Sequence, residues 1–199
     1  NSLDLELVAE DFLFYGLTHT EGLGKDLFGP WVSLSRIFND LSPLTIPALR
    51  TIPSQGLGLA AHPETGELWA VVTTFTEPEM GIPISATQVL LAKIDPQTAV
   101  MTPVGLLDQP IVDITFDDQG NLYGVTMDSD DFYYWDVFQE IDSSHSLYQI
   151  STEDASTQFI IDFGEDSDDY GEAIAYDSAT GLLYHMSGCH TEAKAGGFT

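Results

Sequence analysis

The segment Asp113-Ile-Thr-Phe-Asp-Asp-Gln-Gly-Asn-Leu-Tyr123 is the basis of the fold prediction, because two other segments repeat its pattern. These are Gly58-Leu-Ala-Ala-His-Pro-Glu-Thr-Gly-Glu-Leu-Trp69 and Ala173-Ile-Ala-Tyr-Asp-Ser-Ala-Thr-Gly-Leu-Leu-Tyr184. In each, a short alternating apolar strand ends in a polar turn closed by a glycine, the residue type that takes a positive φ at a hairpin. A second strand, led by Leu and an aromatic residue, follows the glycine. The pattern predicts one β-hairpin in each segment.

Two independent markers give the repeat a period of about 55 residues. The first marker is the aromatic residue of the second strand, with spacings of 54, 54 and 61 residues between Tyr15 (a weaker copy), Trp69, Tyr123 and Tyr184. The second is a Leu-x-x-Ile motif, with spacings of 57 and 56 residues between Leu34–Ile37, Leu91–Ile94 and Leu147–Ile150. A polar turn and a further strand follow each motif, so the unit has four strands.

Short strands with period-2 patterning and almost no helical periodicity predict an all-β fold. Four-stranded antiparallel units at this period are typical of the blades of a β-propeller, whose innermost strands line a central channel. We expect approximate blades at 1–54, 55–109 and 110–167 and a partial blade at 168–199. About three and a half blades are fewer than the four that closure needs. We therefore expect the chain to continue beyond residue 199, to be completed by another chain, or to stack openly.

Two of these segments resemble the repeats of secreted or surface bacterial β-propeller-like proteins. His62-Pro-Glu-Thr-Gly-Glu-Leu-Trp-Ala70 and Leu91-Ala-Lys-Ile-Asp-Pro-Gln-Thr98 are similar to the D-P-x-T-G-x-L-Y and L-x-x-I-D-x-x-T-G patterns of that family. The resemblance extends over nearly the whole chain, although Thr98 is not followed by glycine. It implies the propeller-like fold and a secreted or cell-surface location. It does not imply one activity, because such repeats occur in binding, adhesive and enzymatic proteins.

The composition excludes several classes of partner. With 32 acidic and 5 basic residues, the formal charge of −27 repels nucleic acid and anionic lipid. No apolar run approaches the roughly 20 residues that a membrane helix needs, so membrane insertion is not expected. The single cysteine, Cys189, allows no internal disulfide. The acidity itself fits either solubility in salt or the binding of cations.

An acidic segment before the third hairpin is a candidate calcium site. Asp166, Asp168, Gly171 and Asp177 fall on positions one, three, six and twelve of a calcium-binding loop, and aspartate oxygens suit this hard cation. The match is partial, because Tyr170 stands at position five and Asp rather than Glu at position twelve. The alternative is a solvated loop between strands. Calcium is the only cofactor that the sequence suggests.

An aromatic insertion is the candidate ligand site. Tyr133, Tyr134 and Trp135 lie between Phe132 and Phe138, beside a further acidic cluster, Asp128–Asp131. Aromatic faces next to carboxylates suit carbohydrate stacking or a protein contact. The alternative is that these residues extend a hairpin and pack between blades, since half of the side chains of a strand face inward.

The remaining candidate groups point to structure rather than catalysis. Arg36, Lys93 and Gln149 recur at one repeat position, where we expect pairing with a neighbouring carboxylate or packing of the stem on a strand. The scattered histidines and Cys189 match no zinc or haem motif, and no serine lies in a nucleophile elbow. No catalytic residue is predicted.

The sequence therefore favours a non-enzymatic extracellular binding or scaffold module for protein or carbohydrate, without excluding an enzyme. One alternative is an enzyme on a propeller scaffold, such as a polysaccharide lyase or a calcium-dependent hydrolase. Another is a structural subunit of an extracellular filament or surface layer, which self-associates through exposed strand edges.

Overall fold

The computed structural model describes residues 12–20, 31–38, 43–46, 54–75, 86–96, 98, 100–126, 145–163 and 169–189. These residues form β-strands and turns and contain no helix, as the sequence predicts. The strands are β1 (Phe12–Thr20), β2 (Trp31–Phe38), β3 (Pro43–Ile46), β4 (Ser54–Ala61), β5 (Leu68–Phe75), β6 (Ala86–Ile94), β7 (Met101–Leu106), β8 (Ile111–Phe116), β9 (Leu122–Thr126), β10 (Ser146–Ile150), β11 (Thr157–Asp162), β12 (Asp169–Asp177) and β13 (Leu182–Cys189).

The strands form four antiparallel sheets, each a meander in which sequential strands pair. Sheet 1 contains β1–β3, sheet 2 contains β4–β7, sheet 3 contains β8–β11, and sheet 4 contains β12 and β13. Sheets 2 and 3 therefore have the four antiparallel strands predicted for one unit. Within the described residues, sheet 1 has three strands and sheet 4 has two.

The two sequence markers pair with each other across neighbouring strands. Trp69 lies opposite Lys93 in sheet 2, and Tyr123 lies opposite Gln149 in sheet 3. Tyr15 lies opposite Arg36 in sheet 1, at the same register position. By this register β1, β5, β9 and β13 are second strands of the repeat. Sheet 4 thus consists of the first and second strands of a unit.

The hairpin between first and second strands closes on a glycine, as predicted. Gly66, Gly120 and Gly181 have φ values of 68°, 80° and 70°, in the left-handed region that residues with a Cβ enter at a cost. This turn sets the register that places the aromatic marker at the start of the next strand.

Contacts between first strands hold consecutive sheets together. Strand β4 contacts β8, and β8 contacts β12. At Gly58 of β4 a Cβ would lie 2.8 Å from the Cα of Asp113 in β8, so the two backbones approach closely. The main core lies between sheets 2 and 3 and extends to sheet 4, with Trp69 and Val71 on one side and Ile114 and other apolar residues on the other.

A smaller core covers the opposite face of sheet 2. It contains Leu68, Ala70, Val72 and Ile94. Strand β4, which pairs with β5, contacts β1 and β2 of sheet 1. Alternate residues of β5 thus enter different cores, as period-2 patterning requires. Nothing in the described part of the chain has the length and apolarity of a membrane-crossing helix.

Candidate functional site

Most of the sequence-predicted site residues lie outside the described part of the chain. Tyr133, Tyr134 and Trp135 do so, and so do Asp166 and Asp168. The ligand-binding and calcium predictions that rest on them stay predictions. Within the described residues, no three His, Cys, Asp or Glu side chains are grouped so as to hold a metal ion.

Asp177 is the member of the predicted calcium set that the structure describes, and it organises the turn after β12. Its Oδ2 accepts a hydrogen bond from the Thr180 hydroxyl at 2.8 Å, and its Oδ1 accepts one from the Ala179 amide at 2.9 Å. These bonds favour the charged form and hold the pKa of Asp177 below its ordinary value. The carboxylate thus has a structural role in the hairpin, whether or not it also binds a cation.

Asp113 joins two sheets through its carboxylate. It lies in the first strand of sheet 3, where its Oδ2 accepts a hydrogen bond from the Ile174 amide of β12 at 2.9 Å and its Oδ1 accepts one from the Ile114 amide at 3.0 Å. Burial raises the pKa of Asp113, although both amide bonds act in the opposite direction. The next contact between these strands is the Tyr176 amide, which donates to the Thr115 hydroxyl at 3.2 Å.

The apolar pattern of the sequence does not predict a role for Asp113, although one feature of the repeat marks this position. Its counterparts in the other hairpins are Gly58 and Ala173, so a carboxylate stands where the repeat otherwise has a small residue. The interior of a β-sheet disfavours aspartate unless its oxygens have donors. The bridge to β12 supplies one, and it explains the exception.

Lys93 occupies the repeat position at which a basic residue was expected to find a carboxylate, and this prediction is confirmed. Its Nζ lies 3.2 Å from Glu67 Oε1 and 4.6 Å from the centre of the Trp69 ring. Both charged side chains are well exposed, so the ion pair adds little stability. Its effect is to cover one face of Trp69.

At the same repeat position of sheet 3, the neutral side chain of Gln149 pairs with another neutral side chain, that of Asn121. Gln149 Nε2 donates to Asn121 Oδ1 at 3.4 Å, and Asn121 Nδ2 in turn donates to Asp117 Oδ2 at 2.7 Å. The Tyr123 hydroxyl donates to the same Asp117 oxygen at 3.2 Å. Burial opposes the charge of Asp117, but the hydrogen bonds outweigh it, so the pKa of this carboxyl is lowered. The network closes a hairpin within one sheet.

Strand β11 presents apolar side chains to solvent at the outer edge of sheet 3. Phe159, Ile160 and Ile161 are 55%, 44% and 49% exposed, and β11 pairs with β10 on one side. The pairing of β10 with β11 contains a register shift at this point. Leu147 lies opposite Ile161 and the next residue, Tyr148, lies opposite Phe159, so Ile160 is the extra, bulged residue of β11. Alternation alone predicts that half of these side chains are buried, yet residues 158–163 are all exposed. The bulge is a separate feature that the apolar pattern of the sequence does not predict.

Sheet 4 exposes a second apolar surface. Leu182, Tyr184 and Met186 alternate along β13 and are 54%, 53% and 69% exposed. They share one face of the strand, since side chains two residues apart point the same way. On the other face Leu183 packs against the main core. Among the residues that the structure describes, sheet 4 is therefore covered by sheet 3 on one face and exposed on the other.

Comparison with known proteins identifies no relative of this chain. No protein-family model matches the sequence, and none of the curated proteins compared with it is significantly similar.

Proposed function

We propose that the chain is a β-propeller-like module of four-stranded blades that acts outside the cell as a non-enzymatic binding or scaffold protein. The succession of contacts from β4 to β8 to β12 supports the propeller-like arrangement, because innermost strands of consecutive blades are neighbours around a propeller axis. The repeated register of the sheets supports it independently. The resemblance of the repeats to those of secreted and surface proteins supports the location.

The exposed edge of β11 is the observation that carries the binding role. Three consecutive large apolar side chains, Phe159 to Ile161, are exposed on β11, which is the outermost strand of its sheet among the described residues. An unpaired strand edge with apolar side chains is a template for an extended segment of another protein, whose backbone would add to the sheet. Isolated apolar residues are common on protein surfaces, but a contiguous group at an edge marks an interaction site.

The charges around β11 define the chemistry of the partner. Asp162 ends the strand, and Asp108 accepts a hydrogen bond from the Thr157 hydroxyl at its beginning, at 2.7 Å. The pKa of Tyr148 in the neighbouring strand is raised by burial and by the negative charges of these two carboxylates. The partner is therefore an extended protein segment in which apolar residues alternate with basic ones.

The roles of four described carboxylates support binding rather than catalysis. Asp113 bridges two sheets, Asp117 closes a hairpin, and Asp154 and Asp177 cap turns. A general acid or base needs an oxygen directed at a substrate. Each of these four side chains instead directs its oxygens at neighbouring amides or hydroxyls.

The test is peptide binding measured by fluorescence anisotropy. A labelled peptide of alternating valine and lysine is expected to bind saturably, and its valine-glutamate counterpart is not. Ile160→Asp should weaken binding by at least about tenfold, because it places a charge in the apolar contact. Val100→Asp, at a 42% exposed apolar position directly before β7, is the matched control and should leave binding unchanged. Binding that survives Ile160→Asp, or no saturable binding of the lysine peptide, contradicts the role of β11.

Calcium is proposed as a stabilising ion at the segment that contains Asp166, Asp168 and Asp177. A ligand that binds only the folded state raises the melting temperature with its concentration. The melting temperature should therefore rise with calcium and fall with a chelator. Asp168→Asn should abolish this response while leaving the melting temperature in chelator unchanged. The same melting temperature in both solutions would mean that the acidity is a solubility feature.

A further inference from the structure

We propose that His62 makes the contact between sheets 2 and 3 sensitive to mild acid. Its imidazole ring caps the turn between β4 and β5 and packs on sheet 3. Only the neutral ring fits this position, and a ring that takes up a proton leaves it. The inference concerns a conformational switch within the fold and does not depend on the proposed peptide-binding role.

The three glycine-closed turns share one capping position, which lies two residues after the residue opposite each aromatic marker. His62, Asp117 and Asp177 occupy it. In each turn, the side chain at this position accepts a hydrogen bond from the backbone amide two residues further along. The donors are the amides of Glu64 at 3.2 Å, Gln119 at 2.9 Å and Ala179 at 2.9 Å. A ring nitrogen in sheet 2 thus caps the turn as carboxylates do in sheets 3 and 4.

The acceptor atom of His62 is Nδ1, which faces two backbone amides. The amide of Glu64 lies 3.2 Å from it and the amide of Thr65 lies 3.4 Å from it. An amide N–H can only donate, so Nδ1 carries no proton and the ring proton is on Nε2. Protonation of Nδ1 turns this acceptor into a donor that faces two other donors. The charged ring therefore cannot cap the turn.

The two aspartate caps do not share this sensitivity, because a carboxylate accepts hydrogen bonds in its charged form. Burial opposes the charge of Asp117, but the hydrogen bonds outweigh it and the pKa of this carboxyl is lowered. The hydrogen bond from the Thr180 hydroxyl is the main cause of the lowered pKa of Asp177. Both groups stay charged between about pH 5 and 8, where an imidazole changes its charge. Of these three turns, the turn of sheet 2 is the one whose cap depends on pH in this range.

The ring of His62 also forms part of the contact between the two sheets. Its centroid lies 5.0 Å from that of Phe116 in β8. A Cβ at Gly120 would lie 2.9 Å from Nε2 of His62, so the ring rests against the backbone of the β8–β9 turn. Phe116 in turn contacts Trp69 of the main core, with ring centroids 5.9 Å apart. A ring that leaves the β4–β5 turn therefore also withdraws from sheet 3.

The charged ring has reason to move outward, because both of its N–H groups then need acceptors. In the capping position Nδ1 faces two amide donors and Nε2 lies against Gly120. His62 is only half-buried, so water can solvate both groups once the ring moves outward.

The charged side chains on the two turns favour the released ring. The carboxylates are those of Glu64, Glu67, Asp117 and Asp118. Glu67 pairs with Lys93 at 3.2 Å, which is the positive group on this side, and Asp118 accepts the Tyr176 hydroxyl at 3.3 Å. An imidazolium near several carboxylates is stabilised by their opposite charge. Mild acid therefore shifts the ring from its contact with Phe116 to a solvated position.

Nuclear magnetic resonance of the whole chain between pH 8 and pH 5.5 tests the proposal. The amide shifts of Glu64 and Thr65 should follow the titration of the His62 ring. The nuclear Overhauser effect between the rings of His62 and Phe116, expected at pH 8, should be lost at pH 5.5. The amides of Gln119 and Ala179, which aspartates cap, should keep their shifts. A His62 ring that stays neutral at pH 5.5, or that is charged and still contacts Phe116, overturns the proposal.

The variant His62→Asp isolates the effect, because it copies the other two turns and leaves every other histidine in place. The Gly66 amide, which donates to the His62 carbonyl at 2.9 Å, reports on opening of the turn through its hydrogen exchange. At pH 8 the wild type and the variant should exchange at the same rate. At pH 5.5 the wild type should exchange at least about twofold faster, the smallest factor expected for the loss of one ordinary hydrogen bond. Circular dichroism checks folding, and His62→Asn, which also offers an oxygen at every pH, replaces a variant that does not fold. Equal exchange rates at both pH values refute the switch.

Discussion

Replacing Asp113 with alanine tests whether the sheets are joined as described. The carboxylate accepts the amides of Ile114 and Ile174, so Asp113→Ala leaves two backbone donors without their acceptor. An unsatisfied buried donor costs about 1–3 kcal/mol. Because Asp113 is only partly buried, water reaches the site and the low end of that range applies. The expected loss is about 2 kcal/mol, about 1 kcal/mol for each donor.

The assay is unfolding in urea, followed by tryptophan fluorescence because Trp69 lies in the core that adjoins the bridge. Asp177→Ala is the matched control. It also removes a carboxylate that accepts two hydrogen bonds, but those bonds lie in an exposed turn of one sheet, where water replaces them. Asp113→Ala should therefore lower the unfolding midpoint clearly more than Asp177→Ala. Equal effects of the two variants would refute the account of Asp113 as a bridge between sheets.

Three further predictions concern the close approach of first strands, the pH dependence and the Lys93 ion pair. Gly58→Ala places a Cβ 2.8 Å from the Cα of Asp113 and should cost about 1–3 kcal/mol by forcing β4 and β8 apart; a wild-type urea midpoint would show that the strands are not so close. The pKa of Asp117 is lowered, so its contribution to stability is present above its ordinary pKa of 3.8 and is lost as the pH falls through the folded value. Melting temperatures should therefore fall in strong acid, and less steeply in Asp117→Asn; Asp113, with its raised pKa, changes stability in the opposite direction. Lys93→Gln, which copies sheet 3, should alter the free energy of unfolding by less than about 1 kcal/mol, and a larger loss in a thermal or urea titration would contradict the exposed character of the pair.

The sequence predicted the strands and their pairing because both depend on local signals. A glycine at the hairpin fixes the register between the first and second strands, and this register sets Trp69 opposite Ala60 and Tyr123 opposite Thr115. A carboxylate partner for Lys93 could also be predicted, because the repeat position of Lys93 lies beside turns that are rich in acidic residues. These features need only residues that are neighbours in one sheet.

Contacts between sheets could not be predicted in the same way. The bridge from Asp113 to Ile174 joins positions 61 residues apart. The sequence around either residue does not indicate that the two strands lie side by side. The exposure of β11 and β13 depends on which sheet stands beside each strand. Apolar alternation is the same in Trp69–Val71 and Tyr184–Met186, yet the first pair is buried and the second is exposed.

The acidity of the chain has a local cause in the described turns. Besides Asp117 and Asp177, Asp95 accepts a hydrogen bond from the Thr98 amide at 3.1 Å, and Asp154 accepts one from the Ser156 amide at 3.1 Å. An aspartate at the start of a turn accepts hydrogen bonds from backbone amides of the turn, which have no partner in a neighbouring strand. A repeat with several such turns per unit accumulates negative charge even where no cation binds. The charge then acts on the molecule as a whole, because a large net negative charge repels acidic molecules and attracts basic ones.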